Sequence, residues 1–291
     1  MREKIVLSKR LQAVASMVTA GNRVCDIGCD HGFVPICLVQ QKISPGALAM
    51  DVREGPLSQA RMHIAACGLE TYIETRLSDG LAAFRMGEAD TLICAGMGGR
   101  LMMRILSEEE EKAASFRELI LQPQSELQQF RAFLRGQGYL PVEENMIEED
   151  GKFYPMMKVV KRNGTAGHRK EAYFTSKHDA PKSAGTVKTS DIIEIQDKTL
   201  TQGYSIEGGW RQQMEDRYGP LLLQKKHPVL YRYLERELRI CDDVLDRMRQ
   251  QASDGPEKNG RYEEIEEQKR NCLRVMRERY GQGYGYGENQ D

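Results

Sequence analysis

The sequence lacks any apolar run long enough to cross a membrane, and its longest apolar stretches are only strand-length. A membrane-spanning helix needs about 20 apolar residues. Residues 1–20 also lack the apolar core and small-residue cleavage site of a signal peptide. We therefore expect a cytoplasmic protein without a membrane partner.

An excess of either charge is also missing, since 42 Lys and Arg face 43 Asp and Glu, for a net charge of -1. Global charge therefore gives no indication of nucleic-acid binding, and any basic surface must be local. The seven cysteines lack the paired C-x₂-C spacing of a zinc site. We expect no metal, and buried free thiols in a reducing compartment.

Alternating strand and helix patterns dominate the first half of the 291 residues. Predicted strands are 23–27, 47–51, 72–76, 91–95 and 119–122; predicted helices are 7–18, 33–41, 56–67, 79–85, 98–106 and 125–136. Such β-then-α units predict an α/β fold with a parallel sheet and helices on both faces. Two further strand patterns, 140–147 and 153–160, are separated by a link too short for a crossover, which predicts an antiparallel hairpin.

The composition changes after residue 160. Residues 161–203 are polar and predict a loop or partly disordered insertion. Residues 204–280 show apolar positions at spacings of three and four, interrupted at 253–256, which predicts a helical hairpin. One hairpin buries little alone, so it should dock on the sheet or project as a short coiled coil. The Gly/Tyr-rich residues 281–291 predict a disordered tail.

The first strand leads directly into a turn rich in Gly and Asp, Asp26-Ile27-Gly28-Cys29-Asp30-His31-Gly32, and then into a helix. This order brings backbone N–H groups up to a ligand in open α/β sheets. A dinucleotide motif is excluded because Asp30 occupies the position of its middle glycine. An ordinary βα turn is the alternative.

Other strand ends carry matching polar features. Asp51 ends strand two and can accept both hydroxyls of a ribose. Asp79 follows strand three and can accept the amine of an adenine, while a glycine-rich turn ends strand four. Each has a simpler explanation, such as a loop acid, a helix N-cap or a packing turn. Together at one sheet edge they predict an adenosyl-binding site.

The strand-four segment Ala95-Gly96-Met97-Gly98-Gly99 lacks the Asn/Asp-Pro-Pro-aromatic box common in enzymes that methylate exocyclic amines of nucleic acids. Backbone groups and Met97 would line the pocket, and the glycines would admit a flat base. A ring nitrogen, which already presents a lone pair, is the matching acceptor. Catalysis would depend on orientation and proximity.

Four segments, 7–11, 26–32, 95–99 and 119–124, together resemble the bacterial tRNA (adenine-22-N1)-methyltransferase family. The resemblance covers about residues 5–160, and the helical hairpin is similar to that family's C-terminal coiled coil. It implies a Rossmann-like class I methyltransferase domain at 1–160 whose sheet ends in an antiparallel hairpin. It also implies S-adenosyl-L-methionine as cofactor, tRNA as partner and N1-methyladenosine in the D-arm as product.

The resemblance also implies residue roles. The cofactor-binding residues would be Asp26, Gly28, Cys29, His31, Gly32, Asp51, Val52, Asp79, Gly80, Ala95, Gly96 and Met97. Gly98, Gly99, Gln122 and Pro123 would flank the target base.

Asp30 and Met97 are the candidate catalytic residues. Asp30 would orient the adenine amine or accept its proton, or else would bind the cofactor's amino-acid end or cap a helix. His31 is more often a turn residue than a general base.

For RNA, the candidates are Lys9 and Arg10 on the first helix and a row on the last helix, Arg270, Arg274 and Arg277. These arginines are four and three residues apart, so they lie on one face of a helix. A solvated, salt-bridged helix is the alternative.

We expect a monomer. The other hypotheses are a methyltransferase acting on another RNA or a small molecule, and a tRNA-binding protein without activity.

Overall fold

The computed structural model describes residues 4–162, 206–251 and 260–281. The predicted insertion at 161–203, the interruption at 253–256 and the tail at 281–291 lie outside these residues, apart from positions 161, 162 and 281.

Seven strands form one sheet in the order β3-β2-β1-β4-β5-β7-β6. They are β1 Val24–Ile27, β2 Ala47–Asp51, β3 Ile73–Leu77, β4 Thr91–Met97, β5 Glu118–Pro123, β6 Tyr139–Glu149 and β7 Lys152–Lys161. The first five pair in parallel, with β1 between β2 and β4. Their carboxyl ends therefore meet at one edge, as predicted.

The last two strands form the predicted antiparallel hairpin, and β7 also pairs antiparallel with β5. Only Asp150 and Gly151 lie between them, with φ angles of 51° and 70°. A two-residue loop with both φ positive suits the twist of a hairpin and favours Asp-Gly. The local sequence thus dictates this reversal.

Helices cover both faces of the sheet. Those of the sheet domain are α1 Lys9–Ser16, α2 Phe33–Gln40, α3 Glu54–Ala66, α4 Gly99–Glu108, α5 Glu110–Ala114 and α6 Leu127–Gly136. One core contains Ile93 and Ile120 with residues of α1 to α3, and the other contains Leu92 and Leu119 with residues of α4 to α6. Neighbouring strand residues point to opposite faces, so one continuous apolar strand supplies both cores.

The helix predicted at 79–85 is wrong, because this segment forms turns. The Ser78 hydroxyl donates to the Gly80 carbonyl at 2.9 Å and accepts from the Ala83 N–H at 3.0 Å. Lys112 Nζ, on α5, donates to the carbonyls of Leu81 and Ala82. These bonds satisfy backbone groups that a helix would otherwise pair. The short helix α5 itself was not predicted.

The C-terminal region comprises α7 Ile206–Tyr218, α8 Pro220–Gln224, α9 Pro228–Gln251 and α10 Gly260–Tyr280. At one end, Leu222, Leu230 and Cys272 share a core with Met146 and Phe153 of the β-hairpin. Farther out, a separate small cluster joins α9 to α10 through Cys241, Leu245 and Ile265. The antiparallel pair therefore docks on the sheet domain at one end and projects as a two-helix arm at the other. Within the described ranges, no helix has the length and apolar character needed to cross a membrane.

A buried carboxylate fixes this docking. Glu144 on β6 accepts from Arg131 Nε of α6 at 3.0 Å and from the N–H groups of Leu221 and Leu222 at 2.8 and 3.3 Å. Arg131 also donates to the carbonyls at the end of α7. A buried ion pair needs such additional bonds to offset its desolvation cost. The pair thus joins the neighbouring elements α6 and β6 to α7 and α8, which are distant in sequence.

Candidate active site

The turn after β1 is held against the end of β2. The N–H groups of Gly28 and Cys29 both donate to the Met50 carbonyl, at 2.8 and 3.0 Å. Gly28 and Gly32 have φ angles of 67° and 72°, in the region that favours glycine. A side chain at position 28 would also collide with the terminal methyl of Met97. The predicted turn and the end of β4 are therefore in direct contact.

Two carboxylates lie buried beneath this turn. Asp26 on β1 and Asp51 on β2 are 5% and 6% exposed. Asp51 accepts from the N–H groups of Asp30 and Arg53, at 3.4 and 3.0 Å. Burial and then the charge of Asp51 raise the pKa of Asp26 to about 8. Such an acidic pair is suited to a ligand that brings hydroxyl or ammonium donors.

The ends of β2 and β3 place an apolar and an acidic side chain at the same edge of the sheet. Val52 directly follows Asp51 and is 59% exposed, a position where a flat ring can pack. Asp79 follows β3, and its two oxygens accept from Arg104 at 2.9 and 3.2 Å. The hydrogen bond from Arg104 lowers the pKa of Asp79, so its carboxylate is charged and keeps further lone pairs for a ligand.

The end of β4 bends at Gly96, where the pairing with β5 shifts register and φ is 81°. Ala95 is partly buried against a sheet-domain core, and Gly98 precedes the first residue of α4. A side chain at Gly99 would lie 2.5 Å from the Ser125 carbonyl. Two loops thus approach each other closely here, which requires glycine.

The end of β5 carries an unexpected contact. The Gln122 side chain is fully buried and accepts from Arg10 Nη1 of α1 at 2.8 Å. Pro123 follows as the last residue of β5. The nearby Lys9 donates from Nζ to the Glu148 carbonyl at 2.9 Å. Helix α1 thereby places the Arg10 guanidinium at the same sheet edge as the glycine turn that follows β1.

Asp30 is exposed at the top of the turn, with a φ angle of 51°. Its Oδ2 lies 3.6 Å from His31 Nε2. The His31 ring stacks on Phe33 with 5.5 Å between centroids, and the His31 carbonyl lies 3.0 Å from His63 Nδ1. No local pattern indicated this contact with His63, because it joins the turn to α3.

The predicted RNA residues divide into two groups. Lys9 and Arg10 lie beside the sheet edge, whereas the arginines of α10 lie in the C-terminal region. Arg270 and Arg274 pair with glutamates of their own helix at 3.1 and 2.7 Å, and Arg274 also lies 3.7 Å from the Trp210 ring centroid. These ion pairs within one helix also agree with the alternative interpretation of α10 as a solvated, salt-bridged helix.

The expectation of buried thiols is confirmed, since all seven cysteines are buried and none of them forms a disulfide bond. Over the described residues, no three His, Cys, Asp or Glu side chains group so as to hold a metal ion.

A parallel sheet ordered 3-2-1-4-5, completed by an antiparallel hairpin and bearing this glycine turn and acid set, defines a class I methyltransferase fold. Comparisons agree, because a family model described as a methyltransferase domain matches residues 7–157.

A tRNA (adenine(22)-N(1))-methyltransferase of Bacillus subtilis is 36% identical over 170 residues, which are 58% of this chain and 69% of the relative. The crystal structure of the B. subtilis M1A22 tRNA methyltransferase has a TM-score of 0.69 at 26% identity, covering 94% of this chain and 100% of the other. A Streptococcus pneumoniae protein solved in complex with S-adenosyl-L-methionine has a TM-score of 0.67 at 29% identity, covering 93% and 100%. The chain belongs to the tRNA (adenine(22)-N(1))-methyltransferase family, as its sequence motifs predicted.

Titration of Asp26 should be visible in the stability of the ligand-free protein. Its pKa is raised from 3.8 to about 8, so the folded state binds more protons between these values. The free energy of unfolding should therefore fall as pH rises through this window, by at most about 1.4 kcal/mol per pH unit. Asp26→Asn should lose that part of the pH dependence in urea unfolding at several pH values. Asp150→Asn, in the exposed hairpin turn, is the control. The same pH dependence in Asp26→Asn and in the unsubstituted protein would contradict the assignment.

Proposed function

We propose that this protein transfers a methyl group from S-adenosyl-L-methionine to N1 of adenine 22 in the D-arm of tRNA. The observation that carries the proposal is the convergence of the Asp26–Asp51 pair, the glycine turn and the β4 end at one sheet edge. Membership of the family supports the choice of substrate. A tRNA substrate implies a cytoplasmic enzyme, and we propose that it acts as a monomer.

The residues present fit the cofactor. Asp51 is buried, is oriented by two backbone N–H groups and offers acceptors for the ribose hydroxyls. Val52 would pack on the adenine ring, with Asp79 and Gly80 at its amine edge. The amino-acid end would then meet the turn made by Asp26, Gly28, Cys29, His31 and Gly32, with Ala95, Gly96 and Met97 beside the sulfur. When bound, the cofactor supplies an electrophilic sulfonium methyl.

The protein's own contribution to methyl transfer is orientation. The target adenine would enter between the Gly98-Gly99 turn and the end of β5 at Gln122 and Pro123, leaving its base stack to do so. N1 already has a lone pair, so holding it in line with the methyl group accounts for most of the catalysis. Met97, which touches the glycine turn, would line the path. Asp30 would orient the adenine amine or accept its proton after transfer.

We propose that residues 1–160 perform methyl transfer and that the helices within 204–280 contact tRNA. The arginine row on α10 is the predicted contact, although two of its members are paired on the helix surface. A second row with the same spacing, Arg232, Arg236 and Arg239, is exposed on α9. Arg232 pairs with Glu148 of the hairpin at 2.8 Å, so this second row begins close to Lys9.

Methyl acceptance should depend on one ring nitrogen. Purified protein with labelled cofactor should methylate a tRNA transcript but not the same transcript carrying guanine at position 22, because guanine N1 holds a proton and presents no lone pair. Methylation retained by the guanine transcript would exclude the proposed acceptor. Methyl incorporation into ribosomal RNA alone, or into a metabolite extract alone, would favour a methyltransferase that acts on another RNA or on a small molecule. Absence of S-adenosyl-L-methionine binding would favour a non-catalytic tRNA-binding protein.

Asp51→Ala should weaken cofactor binding about 100-fold, because it removes two charge-assisted hydrogen bonds to the ribose. Isothermal titration calorimetry measures this. Glu70→Ala removes an exposed acid that precedes β3, at the opposite edge of the sheet, and should bind like the unsubstituted protein. An unchanged dissociation constant in Asp51→Ala would refute the ribose contact.

The two arginine rows can be separated by matched triple variants. Changing Arg270, Arg274 and Arg277 to Gln should weaken tRNA binding and reduce its salt dependence, since phosphate contacts release counterions. The matched variant changes Arg232, Arg236 and Arg239 to Gln. Filter binding at several salt concentrations compares them, with circular dichroism to verify folding. A loss confined to the α9 variant would show the α10 prediction to be wrong.

A further inference from the structure

Gln122 is a buried polar side chain with both ends of its amide engaged. Its Oε1 accepts from Arg10 Nη1 at 2.8 Å, and its Nε2 donates to the Pro123 carbonyl at 3.4 Å. The side chain is fully buried at the carboxyl end of β5. Removing Arg10 would leave a buried acceptor unsatisfied, which costs free energy. The amide thus holds the arginine in one place.

Arg10 is held from two further sides. Its guanidinium carbon lies 5.6 Å from the ring centroid of Tyr154 on β7. A Cβ added to Gly96 would lie 3.3 Å from Nη1, so the guanidinium lies directly over the bend of β4. This bend belongs to the wall at which the methyl acceptor is proposed to enter.

The backbone beneath Arg10 is also fixed. The Glu149 carboxylate, at the end of β6, accepts from the N–H groups of Lys9 and Arg10 at 2.6 and 3.3 Å. These groups are at the start of α1, where Ser8 caps the helix by accepting from Leu11. A carboxylate is favourable at a helix N-terminus. The hairpin therefore sets the position from which the Arg10 side chain extends.

The cation itself has no carboxylate partner among the described residues. Within the described part of the chain, the Arg10 guanidinium makes one hydrogen bond, to the neutral Gln122 side chain, and no salt bridge. Arg10 is only partly exposed. An arginine has five N–H donors, so most of them remain for a ligand. A positioned, partly buried cation with unused donors is suited to an anion.

We propose that Arg10 binds a backbone phosphate next to the target adenosine and that Gln122 is the positioning residue for its guanidinium. The inference rests on the proposed function and specifies how the RNA is held there. A phosphate matches the forked donors, and phosphates flank each nucleotide that is turned out of its stack. The methylated base, in contrast, acquires positive charge at N1, and a cation against it would be repelled.

Arg10→Gln should raise the KM for tRNA about tenfold, because a hydrogen bond to a charged group is lost. It should also reduce the slope of log affinity against log salt by roughly 0.7 to 0.9, the value for one phosphate contact. Arg10→Lys should keep the slope and lose part of the affinity, because it retains the charge without the fork. Arg117→Gln removes an exposed cation at the opposite sheet edge and should match the unsubstituted enzyme.

Gln122→Met removes the acceptor while keeping the volume. It should raise the KM for tRNA in the same direction as Arg10→Lys and leave the calorimetric affinity for S-adenosyl-L-methionine unchanged. The double variant Arg10→Gln, Gln122→Met should bind tRNA no worse than Arg10→Gln alone, because Gln122 acts through the arginine. A purely structural role of Gln122 would instead give additive losses.

An unchanged salt slope in Arg10→Gln would overturn the phosphate contact. Additive losses, or weakened cofactor binding in Gln122→Met, would overturn the positioning role. All these comparisons require that the unsubstituted enzyme methylates tRNA. Failure of the proposed function is therefore a separate result, seen as absence of methyl incorporation before any substitution is made.

Discussion

Parallel pairing on both sides of β1 is the constraint on which the site depends. Because β2 and β4 run alongside it in the same direction, the ends of all three strands meet at one edge. Residues 26, 51 and 96 are far apart in the chain but become neighbours in space. The carbonyl of Met50 then fixes the turn by accepting from two of its N–H groups. Strand direction thus assembles the candidate site, and its side chains determine which ligand it suits.

The electrostatics of this edge combine two opposite features. Asp26 and Asp51 are buried acids, and desolvation by burial, followed by the charge of Asp51, raises the pKa of Asp26 to about 8. Arg10, on the acceptor side, is a partly buried cation without an acid partner in the described part of the chain. A cofactor with hydroxyl and ammonium donors is suited to the first side, and a polyanionic RNA to the second. The proposed methyl transfer takes place between them.

The C-terminal helices are fixed to this framework by polar contacts as well as apolar ones. Glu144 and Arg131 join β6, α6 and the ends of two C-terminal helices, so hydrogen bonds connect the base of the helical arm directly to the hairpin. The same hairpin fixes the start of α1 through Glu149. One β-hairpin therefore orients both of the surfaces proposed to contact tRNA.

The sequence by itself determined the strands, the hairpin, the glycine turn and the acids at the strand ends, because periodicity and strand-end chemistry are local properties. It did not determine residues 79–85, where Ser78 and Lys112 take the hydrogen bonds that a helix needs. Nor did it show that Gln122 holds Arg10, a contact across 112 positions. Only the tertiary structure decides such pairs, since hydrogen-bond partners distant in the chain are selected by packing and not by spacing.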